Sequence, residues 1–266
     1  MLASADVQAL IVDMDGVLWE GNRALPGLVP FFESIRRRGL KVVLATNNAS
    51  QTPAQYVAKL AGFGVDVAEA EVMTSAVATA EVLSARPWPS RKAFVIGGDG
   101  IRRAMENAGF ELLGLYETGA AVVVVGMDRG LSWDKLATAT LNLRAGATFI
   151  GTNPDLTVPS EHGTTHGNGA ILAALTAATG LTPEIIGKPE PTMYQLTLAH
   201  LGITPATALA VGDRLDTDIL GAVRAGMASV LVLSGVSTQA DLATGPAQPS
   251  LVMTDIRELT DWLNAG

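Results

Sequence analysis

Asp13 and Asp15 stand two residues apart, directly behind the apolar run Ala9-Leu10-Ile11-Val12 and in front of Gly16. On an extended backbone, side chains at i and i+2 point to one side. Two carboxylates held that close repel unless a cation or a proton lies between them. The pair therefore reads as a divalent-metal site with one aspartate left to do chemistry, against the plainer reading of a solvated turn. Three more polar clusters follow apolar runs in the same way. They are Thr46-Asn47-Asn48 after Val42-Val43-Leu44-Ala45, Lys188 after Ile185-Ile186-Gly187, and Asp213 with Asp218 after Ala208-Leu209-Ala210-Val211. Together they suit a phosphate-processing site. A phosphomonoester is largely dianionic near neutral pH, so its site needs a cation, hydrogen-bond donors and a fixed positive charge. Mg2+ takes a few carboxylates beside waters and substrate oxygens, and Asp13 and Asp213 offer them. Thr46 and Asn47 can donate to phosphate oxygens, and Lys188 brings a compact ammonium. A carboxylate can also be the nucleophile, carrying the group as an aspartyl-phosphate.

The elements that must hold these clusters alternate between strand-like and helix-like, the pattern of a parallel sheet with crossover helices. Leu28, Phe31, Phe32 and Ile35 have helical spacing within 26–38, and Arg36-Arg37-Arg38-Gly39 is a C-terminal stop. Residues 41–45 read as the strand that delivers Thr46, and Thr52-Pro53 opens a helix through Leu60. The stretch 93–150 repeats the alternation by itself: strands at 93–96, 121–125 and 148–150, helices near 101–107 and 132–144. Arg86-Pro87-Trp88-Pro89 and Gly180-Leu181-Thr182-Pro183 read as linkers on its two sides. The main sheet is then expected to resume with 184–187, 208–211, 229–233 and 251–253. If the four motif-bearing strands are parallel neighbours, their polar clusters converge on one edge. The expected fold class is α/β: a Rossmann-like parallel-sheet core from 1–82 plus 183–266, with an inserted α/β domain over 83–182.

Composition narrows the function classes. With 48% hydrophobic and 17% charged residues, the 266-residue chain has ample material for a core. A net charge of −8 argues against nucleic acid and anionic membranes as partners. The absence of cysteine removes disulfides, thiolate metal sites and cysteine nucleophiles. The first eight residues carry no Lys or Arg, unlike the start of a signal peptide. No apolar run approaches the ~18 residues that span a bilayer. A soluble, cytoplasmic protein is the expectation.

The motifs Asp13-Met14-Asp15-Gly16-Val17, Thr46-Asn47-Asn48, Gly187-Lys188-Pro189 and Gly212-Asp213-Arg214-Leu215-Asp216-Thr217-Asp218 resemble those of haloacid dehalogenase superfamily phosphatases. The likeness is to the p-nitrophenylphosphatase-like (NagD-like) branch, which carries a large α/β cap. Gly126-Met127-Asp128 and Gly151-Thr152-Asn153-Pro154-Asp155 extend it over nearly the whole chain. The resemblance implies a Mg2+-dependent phosphatase acting on small-molecule phosphate esters. Asp13 would attack phosphorus. Asp15 would protonate the leaving oxygen, later deprotonate water, and give its backbone carbonyl to the metal. Thr46 and Lys188 would stabilise the phosphoryl group, Asn47 would help hold it, and Asn48 would meet the leaving group. Asp213 would ligate Mg2+, with Asp218 acting through water and Asp216 left on the surface. The inserted domain would close as a cap and set substrate choice, with loop 153–163 reaching the cleft. That loop has Val158 and no arginine, which weighs against a second strongly anionic group on the substrate. The resemblance also allows a homodimer through the cap.

Other readings use the same residues. A phosphotransferase or mutase would pass the aspartyl-phosphate to an acceptor other than water. A receiver-like signalling module also surrounds Mg2+ with aspartates, Thr and Lys, but lacks an acid at the place of Asp15 and an inserted domain. A catalytically silent binding protein has no need of Asp13, Asp15, Lys188 and Asp213 together. Gly97-Gly98-Asp99-Gly100 lacks the third glycine of a dinucleotide fingerprint, since Arg103 stands there. His162 and His166 lie in a Gly-rich stretch, a poor setting for a zinc site. His200 reads as a helix C-terminal charge partner, and Trp19 as a core residue.

Overall fold

Apolar runs such as Ala9–Val12 make strands buried on both faces, as in parallel sheets covered by helices on each side. In the computed structural model, which describes residues 3–160 and 163–265, the chain divides into two units. The first holds the residues up to Thr46, Ala54–Met73, and Lys188 onward; the second holds Asn47–Pro53 and Thr74–Gly187.

The first unit opens with β1 (Ala9–Val12), the small hairpin β2 (Trp19–Glu20) and β3 (Arg23–Ala24), α1 (Leu28–Arg37) and β4 (Lys41–Thr46). Next come α2 (Pro53–Gly62) and β5 (Val72–Thr74). The second unit contributes α3 (Ser75–Ser84), β6 (Lys92–Ile96), α4 (Asp99–Asn107), β7 (Glu111–Leu112), β8 (Val122–Val125) and α5 (Trp133–Arg144). It continues through β9 (Thr148–Gly151), the hairpin β10 (Thr157–Ser160) and β11 (Gly163–His166), α6 (Asn168–Thr179) and β12 (Glu184–Ile185). The first unit is completed by α7 (Thr192–Leu201), β13 (Ala208–Gly212), α8 (Leu220–Arg224), β14 (Ala228–Val232), β15 (Leu251–Met253) and α9 (Ile256–Asn264).

The first sheet has the order β15-β14-β13-β1-β4-β5. Its centre is parallel, with Ala9 opposite both Ala208 and Lys41. Leu10, Val12, Val42, Leu44, Leu209 and Val211 form one core with Phe31 and Ile35 of α1 and Leu259 and Leu263 of α9. Leu215, Ile219, Leu231 and Ala247 form a separate cluster. The second sheet, β12-β9-β8-β6-β7, is also parallel. Phe94, Val123, Val125 and Phe149 pack with Leu143 of α5 and with Ile171 and Leu175 of α6. Among the described residues no helix is long and apolar enough to cross a membrane.

The expected α/β class holds, but one strand is reassigned. Residues 184–187 do not resume the first sheet: Glu184 pairs with Ile150 and Ile185 with Gly151, so β12 edges the second sheet. The helix α6 ends at Gly180, in the left-handed conformation, and the following strand completes a β9-α6-β12 crossover of the parallel kind. The two segments expected to be linkers are likewise built into the second unit. Trp88 donates its indole N–H to the Leu83 carbonyl at 2.7 Å and packs edge-on against Phe110. The chain passes between units at 46/47, 53/54, 73/74 and 187/188.

Candidate active site

Strand order in the first sheet reverses between β1 and β13. Open α/β sheets take ligands in the crevice at the carboxyl ends beside such a reversal. Asp13 follows β1 and Asp213 follows β13 at that place. Carboxylate oxygens of Asp13, Asp213 and Asp218 lie within 4.8 Å of one another. The Lys188 ammonium donates to Asp13 Oδ1 at 2.6 Å, to Asp218 Oδ1 at 2.6 Å and to the Ala45 carbonyl at 2.9 Å. Lys188 is only 2% exposed, so this charge is held out of bulk water.

The local chain path explains the convergence. After β13 a π-helical turn over Leu215–Ile219 brings Asp218 back, and its Oδ2 accepts from the Arg214 N–H at 3.1 Å. The loop after β14 caps Asp213: the Val236 N–H reaches Asp213 Oδ2 at 2.7 Å, and the Ser237 N–H reaches its carbonyl at 3.0 Å. Gly16 has φ +81°, and a Cβ there would stand 2.5 Å from Asp213 Oδ2. Backbone conformation and space both require glycine at that position. Tyr194 donates its hydroxyl to the Asp218 carbonyl at 3.0 Å.

Burial pushes Asp13 well above the ordinary carboxylate range; Lys188 opposes this, while Asp218 and Asp213 add to it. Asp213 is pushed up to about 7, first by burial and then by Asp218, against the Val236 N–H. Burial pulls the Lys188 ammonium down, but Asp13 and Asp218 outweigh it and hold the group well above its usual value. With all groups ionised, three carboxylates face one ammonium and two negative charges are left over. An all-oxygen donor set with that surplus fits a hard divalent cation such as Mg2+. Among the described residues no other group of three or more His, Asp and Glu side chains is arranged to hold a metal.

Thr46 ends β4 and is buried in the first unit. Asp15 is exposed, and its Oδ1 accepts from the Trp19 indole N–H at 2.7 Å. Asn47 and Asn48 belong to the second unit. There the Asn47 side-chain amide donates to the Asp155 carboxylate at 3.2 Å, and the Asn47 backbone carbonyl accepts from the Ser75 hydroxyl at 2.6 Å and the Asn153 side-chain amide at 2.7 Å. Asn48 Oδ1 accepts from the Ser50 N–H at 2.9 Å and its hydroxyl at 2.6 Å. Asp216 is paired with Arg214 at the surface, which holds its carboxyl low against burial. The Gly98–Gly100 turn is a strand-to-helix turn whose helix N–H groups are occupied: Gly100 donates to Ser50 O at 3.0 Å and Ile101 to Ala49 O at 2.9 Å. His166 lies exposed in β11, His200 in the last turn of α7, and His162 outside the described residues.

Sequence reading did not reach the loop Ser234-Gly235-Val236-Ser237 or Tyr194. The loop had a signal: it is a Gly/Ser cluster behind an apolar strand, as the other clusters are. Tyr194 had none, because helical spacing does not say which turn faces Asp218.

Residues 10–111 match the model of the haloacid dehalogenase-like hydrolases, and residues 185–259 match a HAD-hydrolase-like model. An acid sugar phosphatase of Staphylococcus aureus is 36% identical over 251 residues, covering 94% of this chain and 96% of the relative. The solved 4-nitrophenylphosphatase of Thermotoga maritima superposes with a TM-score of 0.91 at 33% identity, over 98% of this chain and 99% of its own. A glycerol phosphate phosphatase of Mycobacterium tuberculosis, solved in complex with magnesium, gives a TM-score of 0.90 at 33% identity, over 97% and 78%.

Proposed function

Because the chain belongs to the haloacid dehalogenase-like hydrolases, in their NagD-like phosphatase branch, we propose that this phosphoric monoester hydrolase uses Mg2+ and an aspartyl-phosphate on Asp13 to hydrolyse sugar and polyol phosphates. The observation that carries the reading is the buried Asp13–Lys188–Asp213–Asp218 cluster at the strand-order reversal. The substrate class is inferred from relatives described as acid sugar and glycerol phosphate phosphatases.

In this mechanism Lys188 holds Asp13 Oδ1, which leaves Oδ2 to attack phosphorus. The Asp13 O–P bond forms as the ester P–O bond breaks, and Asp15 gives its proton to the departing oxygen. Asp15, now a carboxylate, takes a proton from water as that water attacks the phosphoaspartate. Inorganic phosphate leaves and both aspartates return to their starting forms. Thr46 donates to the phosphoryl oxygens, with Asn47 from the following residue. Asp13, Asp213 and the Asp15 carbonyl would hold Mg2+, with Asp218 behind them. When bound, Mg2+ supplies the positive charge that keeps these carboxylates ionised beside a phosphate dianion. The second unit, as a cap, would set substrate choice.

Phosphate release from a panel of sugar, polyol and aryl phosphates, with Mg2+ and with chelator, tests the reading. Mg2+-dependent release is the expected result. No release from any ester, or release indifferent to chelator, overturns it.

A further inference from the structure

Trp19 is fully buried, yet its indole N–H reaches a carboxylate oxygen of the exposed Asp15 at 2.7 Å. The ring is fixed on several sides. It stacks on Tyr56 with centroids 6.3 Å apart, meets Phe63 at 6.1 Å, and carries the Lys59 ammonium 4.2 Å from its centroid. Lys59 is tied in turn to the Gly21 carbonyl at 2.8 Å. The backbone closes the same turn, since the Gly16 N–H donates to the Trp19 carbonyl at 2.8 Å and the Leu18 N–H to Met14 at 2.8 Å. An indole N–H whose ring cannot rotate has one direction, and it points at Asp15.

We propose that Trp19 is a positioning residue for Asp15, its indole N–H fixing the carboxyl so that Oδ2 is the oxygen that carries and delivers the proton. The inference rests on the function proposed above. An indole N–H only donates, so Oδ1 accepts from it whether Asp15 is ionised or protonated. The proton that Asp15 gives to the leaving oxygen therefore resides on Oδ2. The cation over the ring withdraws π density and strengthens the N–H as a donor. An exposed Asp without this bond would sample several rotamers, and proton transfer would wait for the productive one.

The test uses leaving groups of different basicity. An alkyl phosphate needs a proton on its departing alkoxide, whereas p-nitrophenolate departs without one. kcat/KM is the right quantity, because it reports the steps through P–O cleavage and not the later hydrolysis of the phosphoaspartate. Trp19→Phe keeps an aromatic ring on Tyr56 and removes the donor. On the alkyl phosphate that the wild type turns over fastest, it should lose about ten- to a hundredfold, below the full worth of a general acid. On p-nitrophenyl phosphate it should lose less than about threefold. A β-(3-benzothienyl)alanine at position 19 keeps the bicyclic shape without the N–H and should give the same split, which covers a poorly folding Phe variant. Equal losses on both substrates, or none on either, overturn the proposal. Asp15→Asn is the benchmark. A split there but not at position 19 sinks the role of Trp19 alone, and no split in Asp15→Asn sinks the role of Asp15 as acid.

Discussion

The chain builds the same kind of parallel sheet twice and uses the two carboxyl edges in opposite ways. In the first, the order reverses between β1 and β13, and the residues that follow are Asp13 and Asp213. In the second, it reverses between β6 and β8, and the residues that follow are Gly97 and Gly126. The second crevice is filled by the protein's own backbone. Ala49 and Ser50 accept from the first N–H groups of α4, and a Cβ on Gly100 would stand 2.5 Å from the Ala49 carbonyl. A crevice at a reversal of strand order is thus a geometric opportunity. The side chains at the strand ends decide whether it receives a ligand or a loop.

Breaking the charged edge should have the largest effect. Asp13→Asn should lower Mg2+-dependent phosphate release by about a thousandfold or more while circular dichroism shows an intact fold. Appreciable turnover by that variant removes Asp13 as nucleophile. Lys188→Met comes next, leaving two buried carboxylates and the half-buried Asp13 without their ammonium. Urea unfolding in chelator should show a loss of about 3–5 kcal/mol, part of it recovered by Mg2+. An unchanged midpoint would mean that the ion pairs contribute nothing to folding.

The filled edge should respond in stability alone. Gly100→Ala forces a methyl onto the Ala49 and Gln51 carbonyls, and thermal unfolding should show a cost of about 1–3 kcal/mol. A neutral result would mean that the loop yields and the crevice is not sealed. The smallest effect belongs to Arg86 and Glu184, an exposed pair at 2.6 Å in the second unit. The Arg86 hydrogen bonds hold the Glu184 carboxyl below its ordinary value, against its partial burial. Its stabilisation is therefore present above the unfolded-state value and lost as pH falls through the folded one. Solvent screening keeps it under about 1 kcal/mol. The stability gap between wild type and Glu184→Gln should close in acid, and a gap that widens there would reverse the sign.

The charged edge was legible in the sequence because each aspartate stands where an apolar run meets a turn. Asp13, Asp213 and Asp218 declared themselves in that way. Lys188 was found too, but behind a strand given to the wrong sheet, since two paired residues carry no record of which sheet they edge. The helices α3 and α6 passed unread: Ser75–Ser84 and Asn168–Thr179 are rich in Ala, Ser and Thr and show little amphipathic contrast. The contact made by the Asn47 amide was not legible for a related reason, because a loop residue's amide takes whatever acceptor the fold supplies, here Asp155. The indole direction of Trp19 is a rotamer, which spacing does not encode.

The register of β1 also bears on how the molecule is made. Ala9 pairs on one side with Lys41 and on the other with Ala208. As the chain leaves the ribosome, the first strand meets β4 early but waits about 200 residues for β13 to cover its other flank. Pairings of such long sequence separation form slowly, and an apolar strand with an open flank is what holdase chaperones bind. Asp13 is thus made well before Asp213 and Asp218, which lie about 200 residues further along the chain. A chain that stops before Asp213 lacks two of the three carboxylates and cannot assemble the acidic cluster.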